Sequence, residues 1–268
     1  MRRTVLLALG LGVLLASSAW AEEWSKTYTI SGKPDLRVQT SDANIKVDTW
    51  DKNAIEANVS TGNYKIGEGG ITILESQTGD LVDLQVKFPH NHFNISIHRD
   101  NYSKVEITVH MPREGRVNLH TGDGAIRLAD FKGDIDLTSG DGSIEADAVD
   151  GKLRAHAGDG HIRADGRFDG VEIMTGDGRI ETRASKGSSL GSGWEFQAGD
   201  GSVTLEVPSS LAADLDLQSG DGQISLDLPV TVEGRLASNR VHGKLNGGGG
   251  TLRVHTGDGS IELKSAGI

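Results

Sequence analysis

Residues 117–184 read VNLHTGDGAIRLADFKGD, IDLTSGDGSIEADAVDGK, LRAHAGDGHIRADGRFDG and VEIMTGDGRIETRA when the sequence is divided every 18 residues. Gly-Asp-Gly falls at the same place in each segment, and the tripeptide occurs seven times in the chain. A motif repeated at this period is typical of proteins built from stacked structural repeats. The central aspartates of the seven copies are Asp123, Asp141, Asp159, Asp177, Asp200, Asp221 and Asp258.

Apolar residues recur in fixed columns around each Gly-Asp-Gly. Ile126 and Ile144 stand three positions after the first two aspartates, while Leu119 and Val117 precede the first copy. Polar residues separate these positions, so each repeat alternates with the two-residue period of a β-strand. A small residue such as Thr121 precedes every copy, as a tight turn requires. Each repeat therefore predicts two short strands and two turns, and the chain is predicted to be all-β.

Two architectures fit this repeat. In a β-solenoid, each repeat of 18–21 residues forms one coil, and the parallel strands of successive coils lie about 4.8 Å apart. In an antiparallel meander or sandwich, Gly-Asp-Gly would form hairpin tips, and equivalent residues would lie about 9.6 Å apart. Charges alternate in sign along equivalent positions, and alternation stabilises only side chains that touch. The sequence therefore favours a parallel β-helix-like solenoid, with the meander or sandwich as the alternative. The alternating columns are Asp136, Arg154 and Glu172, and Arg127, Glu145, Arg163 and Glu181.

The rest of the chain carries weaker forms of the same pattern. Residues 22–116 are less regular but still alternate like strands, and degenerate copies of the repeat occur at 40–45 and 237–241. We predict one elongated β-repeat domain over residues 22–268, with the regular repeats in 117–268. No helix is predicted to cap the last repeat, and open strand edges pair readily with other chains. End-to-end self-association at the C-terminal repeat is therefore expected.

Composition and the N-terminal sequence indicate which partners are disfavoured and where the protein is located. The 268-residue chain has a formal net charge of −11, which disfavours nucleic acid as a partner, and it contains no cysteine for disulfides or thiolate sites. Arg2 and Arg3, an apolar run over 5–16 and the small-x-small residues Ala19 to Ala21 predict a signal peptide over residues 1–21. Its removal takes away two arginines, so the net charge changes from −11 to −13. We expect an exported protein, periplasmic, on the cell surface or secreted, with no transmembrane anchor after cleavage.

Further features follow one another in a recognisable order. Residues 38–47 (VQTSDANIKV) are followed by Trp50, a strand over 105–112 that ends in Met-Pro, and the repeated Thr/Ser-Gly-Asp-Gly-x-Ile. In these features the sequence resembles a bacterial family of exported β-strand-repeat proteins described as putative adhesins or domains of unknown function. The resemblance covers nearly all of the chain after residue 21, implies a β-helix-like fold and implies no established activity. The loop 186–193 and the glycine tract 247–250 depart from the pattern.

The seven Gly-Asp-Gly aspartates are the one candidate metal set. In a stack, neighbouring carboxylates would lie about 4.8 Å apart and repel by about 0.9 kcal/mol per pair in water. Hydrogen bonds from turn amides would relieve this repulsion, as would calcium bound between coils. The calcium β-roll motif places its aspartate differently among the glycines. We therefore favour structural turns without a cofactor or catalytic residues. The alternative, a calcium-stabilised β-roll, would use Asp123, Asp141, Asp159, Asp177, Asp200, Asp221 and Asp258 as ligands.

The function prediction follows from the broad polar faces of such a stack. Parallel β-helices include polysaccharide lyases and hydrolases, whose sites combine carboxylates with Arg or Lys on one sheet face. Ion pairs across strands are, however, the ordinary way to finish a solvated face. We predict a non-enzymatic structural or adhesin-like interaction module of the bacterial envelope, whose partner is an envelope or extracellular protein or a glycan. A carbohydrate-active β-helix enzyme is the further alternative.

Overall fold

The computed structural model describes residues 22–62, 64–89, 105–191, 193–232 and 238–266. These residues form strands and turns and contain no helix, so the prediction of an all-β protein is confirmed. The predicted signal peptide lies outside the described residues. Within the described part of the chain, no helix is long and apolar enough to cross a membrane.

The described residues form 21 strands of one mixed sheet. Their bounds are β1 Glu23–Thr29, β2 Asp35–Thr40, β3 Asn44–Trp50, β4 Ala54–Ser60, β5 Thr72–Thr78, β6 Leu81–Lys87, β7 Glu106–Pro112, β8 Glu114–Thr121, β9 Ile126–Ala129, β10 Lys132–Ser139, β11 Ile144–Ala157, β12 Ile162–Thr175, β13 Ile180–Ala184, β14 Trp194–Ala198, β15 Val203–Val207, β16 Ala213–Ser219, β17 Ile224–Asp227, β18 Val230–Val232, β19 Arg240–Leu245, β20 Gly250–Thr256 and β21 Ile261–Ser265.

The pairings arrange these strands in two ladders. The order in the first ladder is β5, β6, β2, β8, β10, β11, β12, β14, β20, β16, β19 and β18. The order in the second ladder is β1, β4, β7, β3, β9, β11, β12, β13, β15, β21 and β17. The long strands β11 and β12 contribute their first halves to the second ladder and their second halves to the first. Each Gly-Asp-Gly turn therefore connects the first ladder to the second.

Equivalent residues of neighbouring repeats lie opposite each other. Ile144 pairs with Ile126 on one side and with Ile162 on the other, and all three strands run in parallel. The antiparallel meander or sandwich is therefore wrong for residues 117–184. Antiparallel pairings occur towards the ends of the ladders, between β1 and β4, β4 and β7, β5 and β6, β16 and β19, and β18 and β19. The sheet is thus mixed rather than purely parallel, and the complete β-solenoid stays a prediction.

The last Gly-Asp-Gly repeat lies inside the ladders. Strand β20 pairs with β14 and β16, and β21 pairs with β15 and β17. The expected open edge at the C-terminal repeat is therefore wrong, because both of its strands have two neighbours. The degenerate copy at 237–241 is not a further parallel repeat. Residue 237 lies outside the described residues, and Arg240 and Val241 belong to β19, which runs antiparallel to β16.

The predicted apolar columns form the core. The buried apolar side chains make one cluster that extends from Tyr28 to Leu263. Ile126 and Ile144 are fully buried, as the alternation predicts. Ile224 occupies the same column but is only partly buried. It belongs to β17, which has a strand neighbour on one side only among the described residues.

Close stacking of the turns explains the two glycines in each motif. A Cβ atom on Gly142 would lie 1.9 Å from the Gly124 oxygen, and one on Gly140 would lie 2.6 Å from the Gly122 oxygen. The Ser139 hydroxyl accepts a hydrogen bond from the Gly142 N–H (3.0 Å) and donates one to the Gly124 carbonyl of the neighbouring repeat (2.9 Å). We call the residues that donate in this way to a neighbouring turn the hydroxyl column. They are Thr121, Ser139, Thr175, Ser219 and Thr256.

Candidate functional site

An open groove of about 790 Å³ crosses the outer surface of the first ladder from β2 to β14. It runs between two rows of outward side chains, which stand two residues apart on each strand. Every strand beneath it is paired on both edges, so the groove offers side chains and no unpaired strand edge. The polar lining side chains are Arg37, Arg116, Asn118, Asp134, Asp136, Lys152, Arg154 and Glu172.

Ion pairs between neighbouring strands connect several of these side chains, such as Arg116 and Asp134. Arg154 Nε lies 3.1 Å from the Glu172 carboxylate, and Arg154 Nη1 lies 3.5 Å from Asp136. The predicted adjacency of these three residues is therefore confirmed. Glu172, and then Asp136, raise the pKa of Arg154 through hydrogen bonding and charge. The Arg154 side chain is 61% exposed, and an exposed pair contributes less than about 1 kcal/mol. These charges are positioned yet still accessible to a ligand.

A second depression, of about 450 Å³, continues the groove across β12, β14 and β20. Gly191 and Gly193, between β13 and β14, and Gly250 at the start of β20 contribute no side chain to its wall, which leaves the depression open. Glu172 and Glu195 line it from neighbouring strands, and Arg253 lines it from β20. This part of the groove therefore has two adjacent carboxylates.

The seven predicted aspartates lie on the stacked turns that connect the ladders. Their side chains are exposed and, among the described residues, make no hydrogen bond or ion pair. The expected hydrogen bonds from turn amides to the aspartates are therefore wrong. In the second Gly-Asp-Gly, the buried Ser139 hydroxyl accepts the turn N–H instead, while Asp141 faces solvent. The order along the stack is Asp123, Asp141, Asp159, Asp177, Asp200, Asp258 and Asp221.

Metal binding was predicted only as the calcium alternative. Within the described residues, no group of three or more His, Asp or Glu side chains is arranged to hold a metal ion. Calcium binding by the seven aspartates stays an untested prediction.

The outer surface of the second ladder carries the other predicted charge column. Arg127, Glu145, Arg163 and Glu181 are neighbours on successive strands, as predicted. Arg127 Nε lies 3.0 Å from Glu145, but Arg163 pairs with Asp165 on its own strand, also at 3.0 Å. The depression beside Arg163 measures only about 130 Å³. This depression is therefore much smaller than the groove on the first ladder.

A serine motif not recognised in the sequence lies beside the groove. Residues 187–191 read Gly-Ser-Ser-Leu-Gly, the pattern of a nucleophile elbow, which joins a strand to a helix. Here the segment joins two strands. Ser189 Oγ lies 3.5 Å from Asp169, and Arg167 binds both Asp169 and Asp150. The Arg167 hydrogen bond lowers the pKa of Asp169. These contacts anchor the loop. The serine therefore does not lie on the strand-to-helix turn that exposes the nucleophile in such an elbow.

Comparisons with known proteins find solved structures that share little sequence identity with this chain. No protein-family model matches the chain, and no curated protein matches its sequence. A solved structure described as a putative cell adhesion protein from Clostridium sporogenes has 14% identity and a TM-score of 0.45, covering 92% of this chain and 100% of that one. A putative adhesin from Bacteroides fragilis has 11% identity and a TM-score of 0.43, covering 92% and 99%. A putative lipid binding protein from Parabacteroides distasonis has 15% identity and a TM-score of 0.42, covering 90% and 96%. The first two descriptions agree with the resemblance stated from the sequence.

Proposed function

We propose that this chain is an exported, non-enzymatic interaction module of the bacterial envelope with an adhesin-like role. In this proposal the stacked repeats form a β-solenoid, and the first ladder presents its groove to an envelope or extracellular partner. The observation that carries the proposal is the groove itself: a long open surface lined by exposed charged side chains on strands that are paired on both edges. Such a surface suits a ligand that lies along it, whereas small-molecule sites are usually enclosed and mostly apolar.

Two features support the finer parts of the proposal. The parallel, in-register pairing of the repeats supports a solenoid. The predicted signal peptide at residues 1–21 supports export to the periplasm, the cell surface or the medium.

The test compares two double variants with the same change in charge. Arg116→Ser with Arg154→Ser removes two cations from the groove, whereas Arg127→Ser with Arg163→Ser removes two from the second ladder. Labelled wild type and both variants are titrated onto envelopes isolated from the cells that produce the protein. We expect saturable binding that falls at least fivefold for the groove variant and stays within twofold for the control. Equal binding by all three proteins, or an equal loss in both variants, would contradict the proposed binding face.

A further inference from the structure

Charges on the first ladder follow one rule with one exception. Where two charged Lys, Arg, Asp or Glu residues lie opposite each other on neighbouring strands, twelve pairs combine a cation with an anion. The thirteenth pair, Glu172 on β12 opposite Glu195 on β14, joins two anions. Like charges directly opposite each other destabilise a sheet. The exception therefore opposes folding, and departures of this kind are expected at functional sites.

The Glu172–Glu195 pair lies in the second depression of the groove. Both carboxylates line the 450 Å³ depression, in which Gly191, Gly193 and Gly250 contribute no side chain. Glu172 has a cationic partner in Arg154, at 3.1 Å. Glu195 forms no ion pair with any described residue. Arg253, its neighbour on β20, lies 3.5 Å from Asp216 instead. One uncompensated carboxylate thus faces an accessible depression beside a second carboxylate.

We propose that Glu172 and Glu195 together bind a protonated primary amine, and that this amine belongs to an amino sugar in a glycan chain lying along the groove. An ammonium group between the carboxylates restores the alternation of sign from Arg154 through to Arg253. It has three donors, and its charge-assisted hydrogen bonds to carboxylates are stronger than neutral ones. The inference rests on the proposed function and names the ligand class of the same groove.

The groove favours a glycan over a peptide as the carrier of the amine. All strands beneath it are paired on both edges, so a peptide lying across them finds no strand edge for its own N–H and C=O groups. Protein partners also insert aromatic or aliphatic anchors into pockets. The only large apolar side chain exposed among the described residues is Leu74, on the edge strand β5. Sugar hydroxyls, in contrast, can bind the carboxylates and guanidinium groups that line the groove.

The experiment uses three six-unit probes at about pH 6 and low salt. They are an oligosaccharide of β-linked glucosamine, its fully N-acetylated equivalent, and hexalysine. Titration calorimetry measures their affinity for the wild type, for Glu172→Gln with Glu195→Gln, and for the control Glu181→Gln with Glu262→Gln on the second ladder. We expect the glucosamine oligomer to bind at least tenfold more tightly than the acetylated one. The groove variant should lose at least tenfold in that affinity, and the control should stay within twofold.

Each unexpected outcome contradicts a defined part of the inference. Unchanged affinity in the groove variant, or equal affinity for both oligosaccharides, overturns the amine site. Hexalysine binding as tightly as the glucosamine oligomer, with the same dependence on Glu195, overturns the glycan assignment. Thermal melting of Glu195→Gln should show an equal or higher Tm, because a like-charge pair is removed; a lower Tm means a structural role. Envelope binding that still depends on Arg116 and Arg154, without any glucosamine binding, rejects this inference and leaves the proposed function standing.

Discussion

The hydroxyl column gives a stability prediction that can be tested in both directions. Ser139 is 1% exposed, and its hydroxyl both accepts a hydrogen bond from its own turn and donates one to the next. Ala157 stands at the equivalent position of the following repeat and has no hydroxyl. We therefore expect Ser139→Ala to destabilise the protein and Ala157→Ser to stabilise it.

The magnitude follows from the two hydrogen bonds. A buried hydrogen bond contributes about 1 kcal/mol net, and a buried group left without a partner costs about 1–3 kcal/mol. Ser139→Ala leaves the Gly142 N–H and the Gly124 carbonyl without the hydroxyl, so a loss of about 2–3 kcal/mol is expected. Ala157→Ser adds two hydrogen bonds against the cost of desolvating one hydroxyl, which gives a gain of about 1 kcal/mol. A change of 1 kcal/mol shifts Tm by about 2–4 °C in a protein of this size.

The assay is thermal and urea unfolding followed by circular dichroism. Ala155→Ser is the matched control, because Ala155 is 1% exposed on β11 and lies between Leu137 and Ile173 of the neighbouring strands. Its new hydroxyl has no turn to bind, so this substitution should destabilise the protein by about 1–3 kcal/mol. The reasoning fails if Ala157→Ser destabilises the protein as much as Ala155→Ser does. It also fails if Ser139→Ala costs less than about 0.5 kcal/mol.

Three further predictions test the Gly-Asp-Gly turns, the ion pairs of Arg167 and the strand register. Asp141→Asn should raise stability by up to about 1 kcal/mol at low salt and by almost nothing at 1 M salt, because it removes repulsion from neighbouring carboxylates; a calcium site would instead give a lower Tm that falls further with a chelator. Arg167→Ala should cost about 1 kcal/mol near pH 7. The pKa of Asp169 is lowered in the folded state, so the contribution of Arg167 to stability is present above the unfolded pKa of about 4 and is lost as the pH falls through the folded pKa. The Tm values of the wild type and of Arg167→Ala should therefore converge at acidic pH. Ile162→Asp should unfold the protein by burying an unpaired charge, whereas Glu145→Ala should cost less than about 1 kcal/mol; melts in the reverse order would contradict the register.

The regular repeats could be predicted closely because spacing and burial act together there. Over residues 117–184 a constant period of 18 residues places equivalent residues in register, so an inward residue such as Ile144 meets Ile126 and Ile162. A shift of one residue would turn the apolar column outward. The alternation of charge then distinguished parallel from antiparallel neighbours, since Arg154 contacts Asp136 and Glu172 only if the repeats are adjacent.

The position of the last repeat and the candidate site could not be predicted in the same way. Leu252 and Val254 fit the apolar columns of any repeat, so alternation does not show that β20 pairs with both β14 and β16. Glu172 and Glu195 are 23 residues apart in the sequence. They become neighbours because the loop after β13 lengthens that repeat without changing the pairing register. A constant 18-residue period therefore does not reveal the like-charge pair, whereas alignment on Gly-Asp-Gly does, because each glutamate stands four residues before the first glycine of its motif.

The two ends of the stack have different consequences for association at strand edges. At one end, inward-facing charges meet: Lys26 on the edge strand β1 lies 2.5 Å from Glu75 on the edge strand β5. Inward-pointing charges of this kind oppose pairing with a second chain. At the other end, Ile224 and Leu226 on β17 and Val230 on β18 are apolar and only partly buried. We therefore propose that self-association uses β17 and β18 rather than the C-terminal repeat. Deletion of the C-terminal repeat would not test self-association, because β20 and β21 lie between other strands and their loss would divide both ladders.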